Sequence, residues 1–174
     1  IDLLKAGVHF GHLTRKWNPK MSDYIFMENN GIHIIDLYKT IECAHIAATS
    51  LQNIAKSGRK IMFVATKRQA KVYVSDKAKK LNMPYVTERW LGGMLTNFST
   101  IRKSLKKLSA LDNLQNQDSY ISDFSKKERL MMSRDRDKLE RDLGGISSLN
   151  RIPAALFVVD IKHEEIAVNE AKKL

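Results

Sequence analysis

The sequence predicts an α/β fold in three layers, with a parallel β-sheet and an inserted pair of helices. Short, continuous apolar runs recur along the chain, and such runs are typical of strands that are covered on both faces. Most of these runs lead into a stretch whose apolar residues repeat every three or four positions, as in a helix. Alternation of strand and helix favours a parallel sheet with right-handed crossovers.

The first strand and helix follow an irregular N-terminal arm. Glycines and asparagines punctuate residues 1–31, where the pattern allows a short helix or hairpin at most. Ile32–Ile35 is predicted as the first strand of the sheet. Residues 37–55 carry a helical apolar stripe, which ends at Ser57-Gly58. Cys43 lies within that helix, is the only cysteine and is expected to be a small buried hydrophobe.

Three more strands complete the predicted sheet. The apolar run 60–66 is the clearest of them and leads into a predicted helix over residues 67–81. A short strand is predicted at residues 83–87 and another at 154–160, with a new helix from about His163.

About 65 residues between the last two predicted strands carry two consecutive helical patterns, where one crossover helix would suffice. The first has a narrow apolar stripe over residues 98–111, and the second covers roughly residues 125–143. We expect a helical hairpin with its polar turn at residues 113–119. The predicted organisation is an arm (1–31), a sheet domain (32–96 and 146–174) and an inserted helical hairpin (97–145).

The charge of the chain is its least ordinary property. Thirty Lys and Arg residues against 19 Asp and Glu residues leave a net charge of +11. Such a surplus repels itself in the free protein and is neutralised by a polyanion, so nucleic acid is the first expected partner, ahead of an anionic membrane surface. No apolar run approaches the roughly 18 residues that span a bilayer, and we expect a soluble cytoplasmic protein without a membrane partner.

The basic residues cluster in a way that predicts contacts with RNA. Residues 59–80 hold eight bases and one acid, and a second cluster follows on the first helix of the hairpin. The two tryptophans stand beside cations, an arrangement in which an indole stacks on a base while the cations hold phosphates. Either tryptophan could instead belong to the core. The predicted RNA-binding residues are Arg15, Lys16, Trp17, Asn18, Lys20, Lys67, Arg68, Lys71, Arg89, Trp90, Thr96, Asn97, Arg102, Lys103, Lys106 and Lys107.

No pattern of a catalytic or cofactor site stands out. His9 and His12 are three residues apart, but no cysteine or further histidine pair lies near them in sequence to complete a tetrahedral metal site. Neither a Gly-x-Ser-x-Gly nucleophile turn nor a glycine-rich phosphate loop occurs, and the turn after residue 66 contains no glycine. We therefore predict no catalytic residue, no metal and no cofactor.

Three blocks of sequence resemble bacterial ribosomal protein S-two in order and spacing. The first block is Leu4-Lys5-Ala6-Gly7-Val8-His9-Phe10-Gly11-His12 followed by Arg15-Lys16-Trp17-Asn18-Pro19-Lys20-Met21. The second is Arg89-Trp90-Leu91-Gly92-Gly93-Met94-Leu95-Thr96-Asn97-Phe98. The third runs from Phe157-Val158-Val159-Asp160 to Asn169-Glu170-Ala171.

This resemblance implies a flavodoxin-like or Rossmann-like sheet with a protruding α-helical coiled coil. It also implies a structural role in the small ribosomal subunit, where the protein would bind small-subunit ribosomal RNA near the junction of head and body. Other small-subunit proteins are implied as partners, including the large messenger-binding protein S-one. The family pattern adds a final strand and helix after Leu174, which we expect to be missing here.

Two other classes of function compete with this interpretation. One is a nucleotide- or sugar-phosphate-binding enzyme on the same kind of sheet, which would need a glycine-rich phosphate turn. The other is a regulatory adaptor that binds RNA away from the ribosome, and only its location in the cell would distinguish it.

Overall fold

The computed structural model describes residues 2–117 and 124–174. The chain divides into two compact units, Ile1–Asn53 and Ile54–Leu174, which are described separately. The elements of the first unit are α1 (Asp2–Lys5), β1 (Phe10–Leu13), two 3-10 helices (Thr14–Lys16 and Pro19–Tyr24), β2 (Ile25–Asn29), β3 (Ile32–Ile35) and α2 (Leu37–Lys56), which continues past Asn53.

The first unit contains an antiparallel sheet with the strand order β1-β3-β2. Asn29 pairs with Ile32, so that only Asn30 and Gly31 form the turn between β2 and β3. Both turn residues have positive φ angles, 50° and 73°, which is the geometry that favours Asn-Gly in tight hairpins. The prediction that Ile32–Ile35 belongs to the parallel sheet is therefore wrong, because this turn folds the strand back onto the arm.

Helix α2 begins where Asp36 caps it. The Asp36 carboxylate accepts hydrogen bonds from the backbone N–H groups of Tyr38 (2.9 Å) and Lys39 (3.4 Å). The predicted apolar stripe is present, but no residue of α2 is buried. Cys43 is exposed, so the prediction that it packs as a buried hydrophobe is wrong.

The second unit contains the predicted parallel sheet. Its elements are β4 (Ile61–Val64), α3 (Lys71–Lys80), β5 (Tyr85–Val86), α4 (Phe98–Gln115), α5 (Lys126–Leu143), a 3-10 helix (Gly144–Ile146), β6 (Ala155–Val158) and α6 (Glu165–Lys172). The strand order is β5-β4-β6, and both pairings are parallel. Strand-helix alternation thus identified the α/β class correctly, although α3 begins at Lys71 and not at Lys67 because residues 67–70 form a turn.

The two helices of the predicted insertion, α4 and α5, are joined by ion pairs. Arg136 Nε lies 2.7 Å from Asp112 Oδ1, and Lys107 Nζ lies 3.2 Å from Asp135 Oδ2. Residues 113–115, which were assigned to the turn, belong to α4, and residues 118–119 of that turn lie outside the described residues.

The hydrophobic core of the second unit lies against one face of its sheet. Met62 and Val64 of β4 are fully buried there against residues of the segment between β5 and α4, the end of α5 and α6. On the opposite face the rings of Phe63 and Phe157 are 5.4 Å apart, and Phe157 is 39% exposed. Gly145 is required for this packing, since a Cβ atom there would lie 2.2 Å from the Tyr85 carbonyl oxygen.

The carboxylate of Glu170 on α6 organises the segment between β5 and α4. Glu170 is only 7% exposed. Its oxygens accept hydrogen bonds from Trp90 Nε1 (3.2 Å), Gly93 N (2.6 Å), Leu95 N (3.0 Å), Thr96 N (3.2 Å) and Thr96 Oγ1 (3.2 Å). Burial alone would raise the pKa of Glu170, but the backbone N–H donors of Leu95, Gly93 and Thr96 and the indole N–H outweigh it and lower the pKa.

Replacing Glu170 by glutamine tests this arrangement. The amide has one acceptor oxygen and directs its NH₂ group at donors, so Glu170→Gln is expected to lower the free energy of unfolding by about 2–4 kcal/mol. Urea denaturation measures the difference. Glu42→Gln at an exposed position on α2 is the matched control and is expected to change stability by less than about 0.5 kcal/mol. Equal stability of the two variants would contradict the role of Glu170.

The lowered pKa of Glu170 also predicts a pH dependence. The folded state binds the proton more weakly than the unfolded chain, whose pKa is near the ordinary 4.5, so the carboxylate stabilises the fold above that value. That contribution is lost as the pH falls through the lowered folded pKa. The stability gap between wild type and Glu170→Gln should be constant above about pH 5.5 and narrow below about pH 4.5. A gap that stays constant until acid unfolding would count against this assignment.

Candidate nucleic-acid interface

Four predicted RNA-binding residues form a sheet-edge cluster: Lys67, Arg68, Lys71 and Arg89. They follow β4 and β5, whose carboxyl ends meet at one edge because the strands are parallel. Two of them are neutralised by acids. Lys67 forms an ion pair with Asp160, and Lys71 Nζ lies 2.9 Å from Glu88 Oε2. Arg68 and Arg89 are exposed and form no ion pair with any described residue, which leaves them as the open cations of this edge.

The same edge is where a nucleotide would bind in an open parallel sheet, between β4 and β6. Polar contacts fill this position. The Asp160 carboxylate accepts from Lys67, then from the backbone N–H of His163, and both hydrogen bonds lower its pKa. Beside it Glu164, 4% exposed, accepts from the backbone N–H of Thr66 (2.9 Å) and from its hydroxyl. These polar groups bind one another, and no glycine-rich phosphate turn lies beside them, so the enzyme alternative gains no support.

The α4 cluster consists of the four other predicted cations of the second unit. Its members are Arg102, Lys103, Lys106 and Lys107, all of them exposed on one helix. Lys107 pairs with Asp135, whereas the other three form no ion pair with a described residue. One helix thus presents three open cations within five consecutive positions.

The arm cluster lies in the first unit and is described by itself. Arg15, Lys16 and Lys20 are exposed on the two 3-10 helices. Trp17 is half-buried, with its ring 4.9 Å from that of His33, so part of the indole is accessible for stacking. Asn18 caps the second 3-10 helix, because its Oδ1 accepts from Lys20 N at 3.0 Å.

Three predicted RNA-binding residues take part in the hydrogen bonding of the fold itself. Trp90 is 6% exposed and donates its indole N–H to Glu170, so the structure corrects the prediction that its ring stacks on RNA. Thr96 donates its backbone N–H and its hydroxyl to the same carboxylate. Asn97 precedes α4, and its Oδ1 accepts from the hydroxyls of Ser99 (3.2 Å) and Thr100 (2.9 Å). Thr96 and Asn97 are exposed, so contact with RNA stays a prediction for them.

The histidines of the arm do not assemble a metal site. In residues 2–117 and 124–174, no three His, Cys, Asp or Glu side chains come together in a way that could hold a metal ion. No helix in those ranges is both long and apolar enough to cross a membrane.

Sequence reasoning missed the two buried carboxylates, Glu164 and Glu170. Glu170 lies on α6 and Glu164 directly precedes that helix, and both are buried like Ala167 between them. The signal in the sequence was that Glu164 and Glu170 each lie three residues from Ala167, on the same face of a helix. An acid on the apolar face of a helix needs buried hydrogen-bond donors.

Comparison with known proteins completes this picture. The family model described as Ribosomal protein S2 matches residues 3–174. The chain belongs to this family. Small ribosomal subunit protein uS2 of Cytophaga hutchinsonii is 63% identical over 173 residues, which cover 99% of this chain and 68% of the relative. The uS2 proteins of Chlorobium chlorochromatii and Flavobacterium johnsoniae are 59% and 62% identical over the same shares.

Membership of the S2 family makes this chain a ribosomal protein of the small subunit and a structural protein, not an enzyme. The resemblance carried by its three sequence blocks is thereby confirmed. The location on the ribosome in the cytoplasm follows from the family as well.

The burial of Trp90 gives a direct test of the site assignment. The sequence has two tryptophans, so Trp17→Phe leaves Trp90 as the only indole. Its emission is expected to be blue-shifted, resistant to acrylamide and unchanged when RNA is added, because the ring lies in the core. In the reciprocal variant, Trp90→Phe, the half-buried Trp17 should be quenched more readily. Emission of Trp90 at the wavelength of a solvated indole would overturn the core assignment.

Proposed function

We propose that this protein is a structural constituent of the small ribosomal subunit that binds small-subunit ribosomal RNA and neighbouring ribosomal proteins. The net charge of +11 supports RNA as the principal partner, because a polyphosphate releases counterions when cations neutralise it. Binding is passive in this proposal. The folded units hold the cations in place, and no bond is made or broken.

One observation carries the proposal, namely the contrast between α4 and α5. Helix α5 holds seven bases, but five acids are interleaved with them, and Arg136 and Arg141 pair with neighbouring acids. On α4 the one acid is Asp112, which pairs with Arg136, and Arg102, Lys103 and Lys106 form no ion pair with a described residue. Exposed cations on one helix repel one another in the free protein, and phosphates remove that repulsion when they bind.

The other open cations extend this interface. They are Arg68 and Arg89 of the sheet-edge cluster and Arg15, Lys16 and Lys20 of the arm cluster. Trp17 supplies the one partly accessible indole, which suits stacking on an unpaired base. Lys67, Lys71 and Lys107 contribute less, since RNA would have to compete with Asp160, Glu88 and Asp135 for them.

The finer features of the fold and the assembly belong to the same proposal. The sheet would be of the flavodoxin-like or Rossmann-like kind, and α4 with α5 would form a protruding coiled-coil hairpin, inserted at residues 97–145 between two parts of the sheet domain. Arm residues 1–31 would contact RNA, and the bound protein would help to recruit the messenger-binding protein S-one. The ion pairs between α4 and α5 support the hairpin.

The salt dependence of RNA binding tests the proposal. If about six phosphates are neutralised, log K should fall with log salt at a slope of about −4 to −5. The triple variant Arg102→Gln, Lys103→Gln, Lys106→Gln should make the slope shallower by about 2 to 3, since each lost phosphate contact removes about 0.9. Filter binding to small-subunit ribosomal RNA and to salt-washed subunits that lack this protein measures both slopes.

A control with the same change in net charge shows whether the slope depends on where the cations are lost or only on the net charge. Lys127→Gln, Arg134→Gln, Lys138→Gln on α5 removes three exposed cations and is expected to leave the slope within about one unit of wild type. A wild-type slope near zero would refute RNA binding. Equal losses in the two triple variants would refute the assignment to α4.

A further inference from the structure

A basic groove lies at the edge of the parallel sheet that is opposite the sheet-edge cluster. The amino ends of β4 and β6 lie side by side there, tied by a 2.9 Å hydrogen bond from Ala154 N to the Lys60 carbonyl oxygen. The groove has a volume of about 520 Å³ and is lined by residues 58–60, residues 148–152 and Ala154. It is roughly 20 Å from Lys67, because the chain crosses the sheet along β4 between them.

Three cations line this groove: Arg59, Lys60 and Arg151. None of the described lining residues is acidic, and none of the three cations forms an ion pair in the part of the chain that the structure describes. Its remaining polar lining is neutral and includes Ser148 and Asn150. The groove therefore carries an uncompensated positive charge, which is the electrostatic requirement for a phosphate site.

Two of these cations are held in position by hydrogen bonds. Arg59 Nε donates to Ser57 Oγ at 3.0 Å, which leaves the two NH₂ groups of the guanidinium for a ligand. Lys60 Nζ donates to the Asn82 carbonyl oxygen at 2.7 Å, which uses one of its three N–H groups. Cations that are already positioned lose less conformational entropy when they bind an anion.

The groove is continuous with the α4 cluster. A neighbouring groove of about 320 Å³ is lined by Arg102 and Lys106 of α4, and it shares Leu149 and Asn150 with the first. Its two acids are Asp112, which is paired with Arg136, and Glu140. An extended polyanion could follow both grooves across Asn150, whereas a compact anion would occupy only one.

We propose that Arg59, Lys60 and Arg151 form a second RNA-backbone site, continuous across Asn150 with the cations of α4. This inference rests on the proposed function and joins Arg59 and Lys60, from the basic cluster 59–80, with Arg151, which lies outside both sequence clusters. The RNA would follow the side of the second unit from α4 to the amino ends of β4 and β6. Its phosphates are the ligands, and no base is read.

The double variant Arg59→Gln, Arg151→Gln tests the site through the salt dependence of binding to salt-washed small subunits that lack this protein. Loss of two phosphate contacts should make the slope of log K against log salt shallower by about 1.5 to 2. The control Arg134→Gln, Lys138→Gln carries the same change in net charge and should keep the wild-type slope. If wild type is itself independent of salt, the proposed function fails. If wild type depends on salt but the double variant has the same slope as the control, this inference fails and the proposed function stands.

Crosslinking distinguishes RNA from a protein neighbour in the groove. Asn150→Cys in a Cys43→Ser background would carry a benzophenone, since Cys43 is the only cysteine of the sequence. An adduct on ribosomal RNA, mapped by reverse transcription, is expected for Asn150→Cys and not for Lys138→Cys on α5. An adduct confined to a ribosomal protein, or no adduct at all, overturns the proposal.

Discussion

The buried carboxylate of Glu170 is the interaction on which the second unit depends. Five donors from Trp90, Gly93, Leu95 and Thr96 converge on it, which fixes the chain between β5 and α4 against α6. A buried charge is tolerated only when its hydrogen bonds are satisfied, and this one has donors on both oxygens. Helix α4 begins at Phe98, two residues after Thr96, so the direction in which α4 leaves the sheet depends on the same carboxylate.

The fold itself uses several of the residues that the sequence assigned to RNA. Trp90, although it follows an arginine, is used to complete the core. At the edge of the sheet, Lys67 and Lys71 compensate acids that the fold itself brings near, Asp160 and Glu88. The open cations, above all those on α4, form no ion pair with a described residue. Charge density in the sequence therefore overstates the number of cations that are available to RNA.

The sequence was sufficient for the α/β class, for the parallel strands and for the two long helices α4 and α5, because apolar periodicity reports local structure directly. It was insufficient for Ile32–Ile35. A four-residue apolar strand fits a parallel or an antiparallel sheet equally well, and the Asn30-Gly31 turn, which decides the matter, was interpreted only as punctuation. Trp90 was misassigned because linear proximity to Arg89 says nothing about burial. The cluster 59–80 included Arg59 and Lys60, but the groove was missed because Arg151 is distant in sequence and meets them only when β4 pairs with β6.

The parallel pairing of β4 with β5 and β6 allows the sheet to present cations at both of its edges. Parallel strands place their amino ends together at one edge and their carboxyl ends at the other, so a single short sheet presents cations on both edges at a fixed separation. Arg59 and Lys60 stand at one edge, with Arg68 and Arg89 at the other. A flexible basic tail with the same charge would lose conformational entropy at every phosphate contact, whereas cations on a folded sheet have lost most of it already. A chain that performs no chemistry can in this way use its core, through Glu170 and β4, to set the spacing of its exposed cations.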